Sequence, residues 1–211
     1  MHVQKFTFNP FQENTYVLQA AGEGIVIDPG FCDKNEQREL EGWLEANGVN
    51  LLRVLLTHAH IDHVMGCAWV EERYGLRPEV HRNDLPILEA AEMQAAMFAV
   101  PLDPPPAPAR FIEEGEVLTL GDAHLDVLFV PGHAPGHVAF FNPKQRFLMG
   151  GDVLFHRSIG RTDLPGGDFD VLQRSIREQF YPLGDDVLVY SGHGPETTIG
   201  EERRGNPFVR G

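Results

Sequence analysis

The segment Thr57-His58-Ala59-His60-Ile61-Asp62-His63 constrains this chain more than any other stretch of it. It ends a nearly all-apolar run, Leu51–Thr57, of the kind that forms a strand buried on both faces. The segment therefore reads as a strand-to-helix turn. Three imidazoles and a carboxylate crowd that turn, where bends in the backbone aim alternate side chains at one point. Imidazole with carboxylate is a ligand set for Zn²⁺ and for non-haem iron. With 10 His in 211 residues, the pattern arises by chance in roughly one such chain in a thousand. Solvated loop histidines do not account for four spaced donors.

Further donors stand just beyond other predicted strands. His133 follows Leu125–Val130 in Pro131-Gly132-His133, and Asp152 follows Phe147–Met149 in Gly150-Gly151-Asp152. His193 follows Val187–Tyr190 in Gly192-His193-Gly194. Glycine beside a donor lets the backbone approach closely. A single Gly-Gly-Asp is an ordinary turn, but four strand ends carrying such residues form a joint signal. His137 lies four residues past His133 and reads as a hydrogen-bonding or packing partner rather than a ligand.

The rest of the chain supplies the frame. Val3–Phe8, Thr15–Gln19, Gly24–Ile27, Glu79–His81, Val117–Leu120 and Val138–Phe141 read as further strands. Helices are predicted over Asn35–Ala46, Asp62–Tyr74, Phe169–Phe180 and, with Asn83 as N-cap, to Met97. Five prolines within residues 101–108 exclude a helix or central strand there and predict an extended surface connection. The stripe Met93, Met97, Phe98 reads as apolar packing, with the mouth of a substrate site as the sharper alternative. No composition shift divides the chain, so residues 1–211 read as one α/β domain of sheets covered by helices.

Composition excludes several classes. Asp and Glu total 31 against 17 Lys and Arg, a net charge of −14, which repels nucleic-acid backbones. No apolar run reaches the ~20 residues of a membrane span, and residues 1–10 carry no secretory h-region. A cytoplasmic protein is the expectation. Cys32 and Cys67 form no CxxC, so neither a thiolate zinc knuckle nor a disulfide framework is supported.

Taken together, these motifs resemble the metallo-β-lactamase superfamily, from Asp28-Pro29-Gly30 through Gly192-His193-Gly194, and within it the small one-domain glyoxalase II-like (hydroxyacylglutathione hydrolase-like) hydrolases. The resemblance implies an αββα sandwich of two mixed β-sheets flanked by helices. It implies two divalent metal ions, zinc first, with iron or manganese as alternatives. His58, His60 and His133 would hold one, and Asp62, His63 and His193 the other, with Asp152 bridging. Asp28 resembles the family's support residue beneath the metal loop, although a turn-capping Asp reads equally from sequence. His63, Asp152 and the absence of an export signal point away from β-lactamases proper. Only 18 residues follow His193, too few for the helical domain with which classical glyoxalase II holds glutathione.

The implied activity is hydrolysis of a thioester such as S-lactoylglutathione by a metal-bridged hydroxide. Asp152 and Asp62 are the implied catalytic carboxylates, and Asp62 also orients the nucleophile. Arg161, in Gly160-Arg161-Thr162-Asp163, stands where glyoxalase II contacts its glutathione moiety, and the alternative is a surface arginine paired with Asp163. The same run resembles persulfide dioxygenases, so a mononuclear-iron dioxygenase is the alternative activity, and a lactonase of the same fold another. The expected partner is a small-molecule thioester, a glutathione conjugate included, and neither nucleic acid nor membrane.

Overall fold

The computed structural model describes residues 1–211. In chain order the elements are β1 (His2–Phe8), β2 (Glu13–Ala20), β3 (Glu23–Ile27), α1 (Lys34–Ala46), β4 (Asn50–Leu55), α2 (Ile61–Val64), α3 (Cys67–Tyr74), β5 (Pro78–His81), α4 (Leu85–Glu89), α5 (Ala91–Phe98) and β6 (Arg110–Ile112). The second half runs β7 (Val117–Leu120), β8 (Ala123–Phe129), β9 (Val138–Asn142), β10 (Phe147–Gly151), β11 (Leu154–Phe155), β12 (Ser158–Ile159), α6 (Phe169–Ser175), β13 (Leu188–Ser191), β14 (Thr197–Thr198) and α7 (Ile199–Gly205).

The strands make two six-stranded sheets, ordered β1-β2-β3-β4-β5-β6 and β14-β13-β10-β9-β8-β7. Both are mixed. β1, β2 and β3 pair antiparallel and β3 through β6 parallel, while in the second sheet only β10 and β13 are parallel. The period of two decides what each face meets. Tyr16, Leu18, Ile25 and Ile27 point inward and join Leu125, Val127, Phe140 and Met149 of the facing sheet in the central core. Val17 and Val26 point outward against Leu40 and Leu44 of α1 and Val70 of α3. Leu172 of α6, with Ile176 and Phe180, covers the outer face of the second sheet. The layers are αββα, as the resemblance implied.

α1 begins where Asp33 accepts N–H from Asn35 and Glu36, satisfying two of the free donors of the first turn. Leu40 and Leu44, one turn apart, form its buried stripe. Three helix readings need correction. The predicted helix from Asp62 to Tyr74 is two, because Gly66 donates its N–H to Pro29 O and lies against the Phe31 ring. The helix predicted from Asn83 is also two. Asn83 does not cap it; the turn before α4 is 3₁₀, capped by His81. Finally, α6 ends at Ser175 and Ile176–Phe180 continues as a π-turn. The stripe expected to pack is instead exposed, with Met93 65% and Met97 73% accessible. Residues 99–109 form no helix or strand.

Candidate metal centre

Every predicted donor sits just past the end of a strand. The His58–His63 segment follows β4, His133 lies in the β8–β9 connection, Asp152 follows β10 and His193 follows β13. Val138 N–H donates to Thr57 O (2.8 Å), which clamps the His133–His137 loop to the His58 loop across the two sheets. Asn14 locks the His193 turn from the other side, donating to the carbonyls of Ser191 and Gly194.

The structure brings the seven donors together in two groups. His60 Nδ1 is 2.8 Å from His133 Nε2, which is 3.2 Å from His58 Nε2. His193 Nε2 is 3.1 Å from Asp62 Oδ2, and His63 Nε2 is 3.7 Å from the same oxygen. The Asp152 carboxylate lies between the groups, 3.5 Å from His63 and His193 and 3.6 Å from His133. Asp28, His58 and His63 make a third cluster of metal-type donors behind them.

The hydrogen bonds around the histidines decide which ring nitrogen is free. His58 Nδ1 donates to Thr57 Oγ1, whose hydroxyl donates to Asp28 Oδ2 (2.6 Å). His63 Nδ1 donates to the same Asp28 oxygen at 3.1 Å. His133 Nδ1 donates to Arg161 O at 2.7 Å, and His193 Nδ1 faces the carbonyls of Phe11 and Gln12 at 3.2 Å. Each of these four rings is thereby held with its Nε2 edge facing the centre, the edge that metal-ligating imidazoles present. Asp28 has φ +50° and takes the Thr57 N–H on its other oxygen, so one strained residue orients both His58 and His63.

The donor set fits a cation on structural grounds. Buried His63 Nε2 and Asp152 Oδ1 find no hydrogen-bond partner in the protein. Lone pairs from three imidazoles converge where none can donate to all the others. Burial pushes His60 down to about 3, aided by His133, and pushes His58 well below the usual imidazole value. These rings are neutral and ready to ligate. Against the pull of burial, Asp62 and Asp152 raise His63, and His63 and His193 hold Asp152 well below the carboxylate range.

His137 stays out of both groups. Its Nε2 accepts the Asp152 N–H at 3.0 Å and its ring stacks on His58, as its spacing suggested. Arg161 lines the site pocket, but its guanidinium is paired with Asp163 by two 2.7 Å hydrogen bonds. Three contributors escaped the sequence reading. Buried Glu13 accepts from Thr15 behind His63, and burial pushes its carboxyl well above the usual range. Asp84 receives N–H bonds from Ala59 and Gly136. Phe11 lies in the mouth. None carries a local motif. The pocket over the centre has a volume of about 390 Å³.

Fold and centre define a metallo-hydrolase architecture, and the chain belongs to the metallo-beta-lactamase superfamily, whose model matches residues 8–193. It is 36% identical to the hydroxyacylglutathione hydrolase GloC of Haemophilus influenzae over 99% of this chain and 98% of that protein. The crystal structure of the BLEG-1 B3 metallo-beta-lactamase superposes with a TM-score of 0.90 at 35% identity, covering 100% of both chains. That of TTHA1623 in a di-iron-bound form gives 0.88 at 39% identity, over 98% of this chain and 100% of that one. No helix is long and apolar enough to cross a membrane.

Proposed function

We infer that this protein is a one-domain thioester hydrolase with two divalent metal ions, zinc first, acting in the cytoplasm on a small acyl-thiol such as S-lactoylglutathione. The observation that carries the reading is the pair of donor groups joined at Asp152 beneath one pocket. His58, His60 and His133 would hold one ion and Asp62, His63 and His193 the other. Ions held there supply a water of lowered pKa and a Lewis acid for a carbonyl.

The chain's own residues do the rest. Asp62 accepts the proton of an attacking water and orients it, with His193 beside it at 3.1 Å. Asp152 ties the two groups at a fixed separation. Asp28 and Thr57 keep His58 and His63 in one tautomer. The pocket lining contains no Tyr, Lys or Cys to act as general acid. A thiolate needs none, since its conjugate acid has a pKa of ~8.5. This favours a thioester over a lactone or an amide. Likeness to a protein named a hydroxyacylglutathione hydrolase supports a glutathione conjugate. Arg161 is the proposed contact for its carboxylate, reached by exchange with Asp163.

Anaerobic thiol release from S-lactoylglutathione, beside an oxygen-electrode trace with glutathione persulfide, tests the reading. Thiol release without oxygen uptake is the expected result. Oxygen uptake with the persulfide and no thioester cleavage would replace it with the iron dioxygenase, to which the Gly160–Asp163 run also corresponds.

A further inference from the structure

The lining of the pocket gathers three phenylalanines beside the His193 group. On the His193 side, the Phe11 carbonyl faces His193 Nδ1 at 3.2 Å and the Phe155 ring lies 6.2 Å from the His193 ring. Phe98, at the C-terminal end of α5, stands edge-on to Phe11 with centroids 5.6 Å apart. Three phenylalanines from three separate segments thus frame one side of the mouth, and Phe98 is 40% accessible. Gln94, one helical turn before Phe98, is the polar residue of this wall, and its amide N–H donates to Ile87 O. On the His133 side stands Arg161, and the lining also includes Leu164 and Ile159. The Arg161 carbonyl holds His133, and its guanidinium is matched to Asp163. Arg161 is the sole Lys or Arg of the lining.

Resting on the thioesterase reading, we propose that Phe11, Phe98 and Phe155 form an acyl-group subsite that takes apolar acyl chains, aryl or alkyl, in addition to lactoyl, and favours them over acetyl. Water-soluble thiol carriers are anionic and match the Arg161 rim. The acyl group then extends over His193 into the phenylalanine frame. Exposed aromatic edges gain by covering apolar surface, and edge-on rings give an aryl group a defined slot. Met93 and Met97, one residue before Gln94 and Phe98 respectively on the same helix, are exposed.

The test gives zinc-loaded protein a series of glutathione thioesters with acetyl, lactoyl, hexanoyl and phenylacetyl groups. The kcat/KM for thiol release is expected to rise tenfold or more from acetyl to phenylacetyl, mainly through KM. Phe98→Ala should cut that ratio at least fivefold, and Phe98→Leu should keep the preference for hexanoyl. Circular dichroism and metal content certify both variants. A flat or falling series in the native chain overturns the subsite. Calorimetric binding of phenylacetate and acetate is read in parallel, with phenylacetate expected to bind at least tenfold tighter and Phe98→Ala to erase the difference. No thiol release from any member, with that binding preference intact, removes the thioesterase reading and leaves the apolar subsite standing. Equal binding of the two acids removes the subsite.

Discussion

Asp84 holds the His58 and His133 loops in register without touching any of the seven donors. One carboxylate oxygen accepts from Ala59 N, between His58 and His60, at 2.9 Å, and the other from Gly136 N at 2.5 Å. It is fully buried, and burial pushes its carboxyl up to about 6 against those two N–H donors. Asp84→Ala leaves two buried N–H groups unpaired, at about 1–3 kcal/mol each. The variant should melt earlier and bind zinc at His58, His60 and His133 about 10–100-fold more weakly. Titration against a chromophoric chelator, beside a melting curve, measures both, and unchanged affinity would reduce Asp84 to a packing role. Asp84 was illegible in the sequence because its partners lie 25 and 52 residues away. The donors of the His58–His63 segment were legible because their spacing is local. Arg161 was half legible, since its side chain answers to Asp163 two residues on while its backbone serves His133.

Long amphipathic elements could be read directly, because a period of two or 3.6 sustained over several residues leaves little choice of face. Short ones could not. β6, β11, β12 and β14 have three residues or fewer and owe their existence to the partner strand alone. α7 did carry a signal, Thr198 with Glu201 three residues on, and Thr198 Oγ1 accepts the Glu201 N–H. Breaks inside helices are equally non-local, as Gly66 against Phe31 illustrates. Gly132 fixes how the His133 loop meets α6. Its φ is +129°, and a Cβ there would stand 2.3 Å from Leu172 N and 2.4 Å from Leu172 Cα. Gly132→Ala should therefore cost roughly 2–6 kcal/mol from backbone strain and overpacking together. At about 2–4 °C per kcal/mol, the melting temperature should fall by about 5 °C or more. Gly194→Ala is the control. Its φ is +71° but nothing lies within 4 Å, so a loss of only about 1 kcal/mol is expected. Equal losses in calorimetry would mean that contact with α6 does not matter.

Across the whole molecule, the two sheets meet along a central apolar core, and the donor groups close the seam between them at one end. That end concentrates imidazoles and carboxylates at 0–15% side-chain exposure, His193 at 28% excepted. Stripping metal with a chelator should therefore lower the melting temperature by more than about 10 °C, given ~10 kcal/mol or more for tightly held zinc. Scanning calorimetry of loaded and stripped protein checks this, and superimposable transitions would contradict a stabilising metal. Sheets covered by helices were legible from the alternation of strands and helices, and the αββα layering from the family resemblance. The phenylalanine frame of the pocket was not, since Phe11, Phe98 and Phe155 are scattered through the chain.

Each donor group draws its members from both sheets, and His58 and His133 lie 75 residues apart. No segment shorter than His58–His133 holds the first group, and none shorter than Asp62–His193 holds the second. A chain still emerging from the ribosome can thus load neither ion in its final place until the two sheets have docked. If metal binds there, its uptake follows the docking of the sheets, and a chain that has not reached that point is one that proteases can still recognise. Supply of the ion would then set how many copies of this protein survive in the cell, as well as how many of them are active.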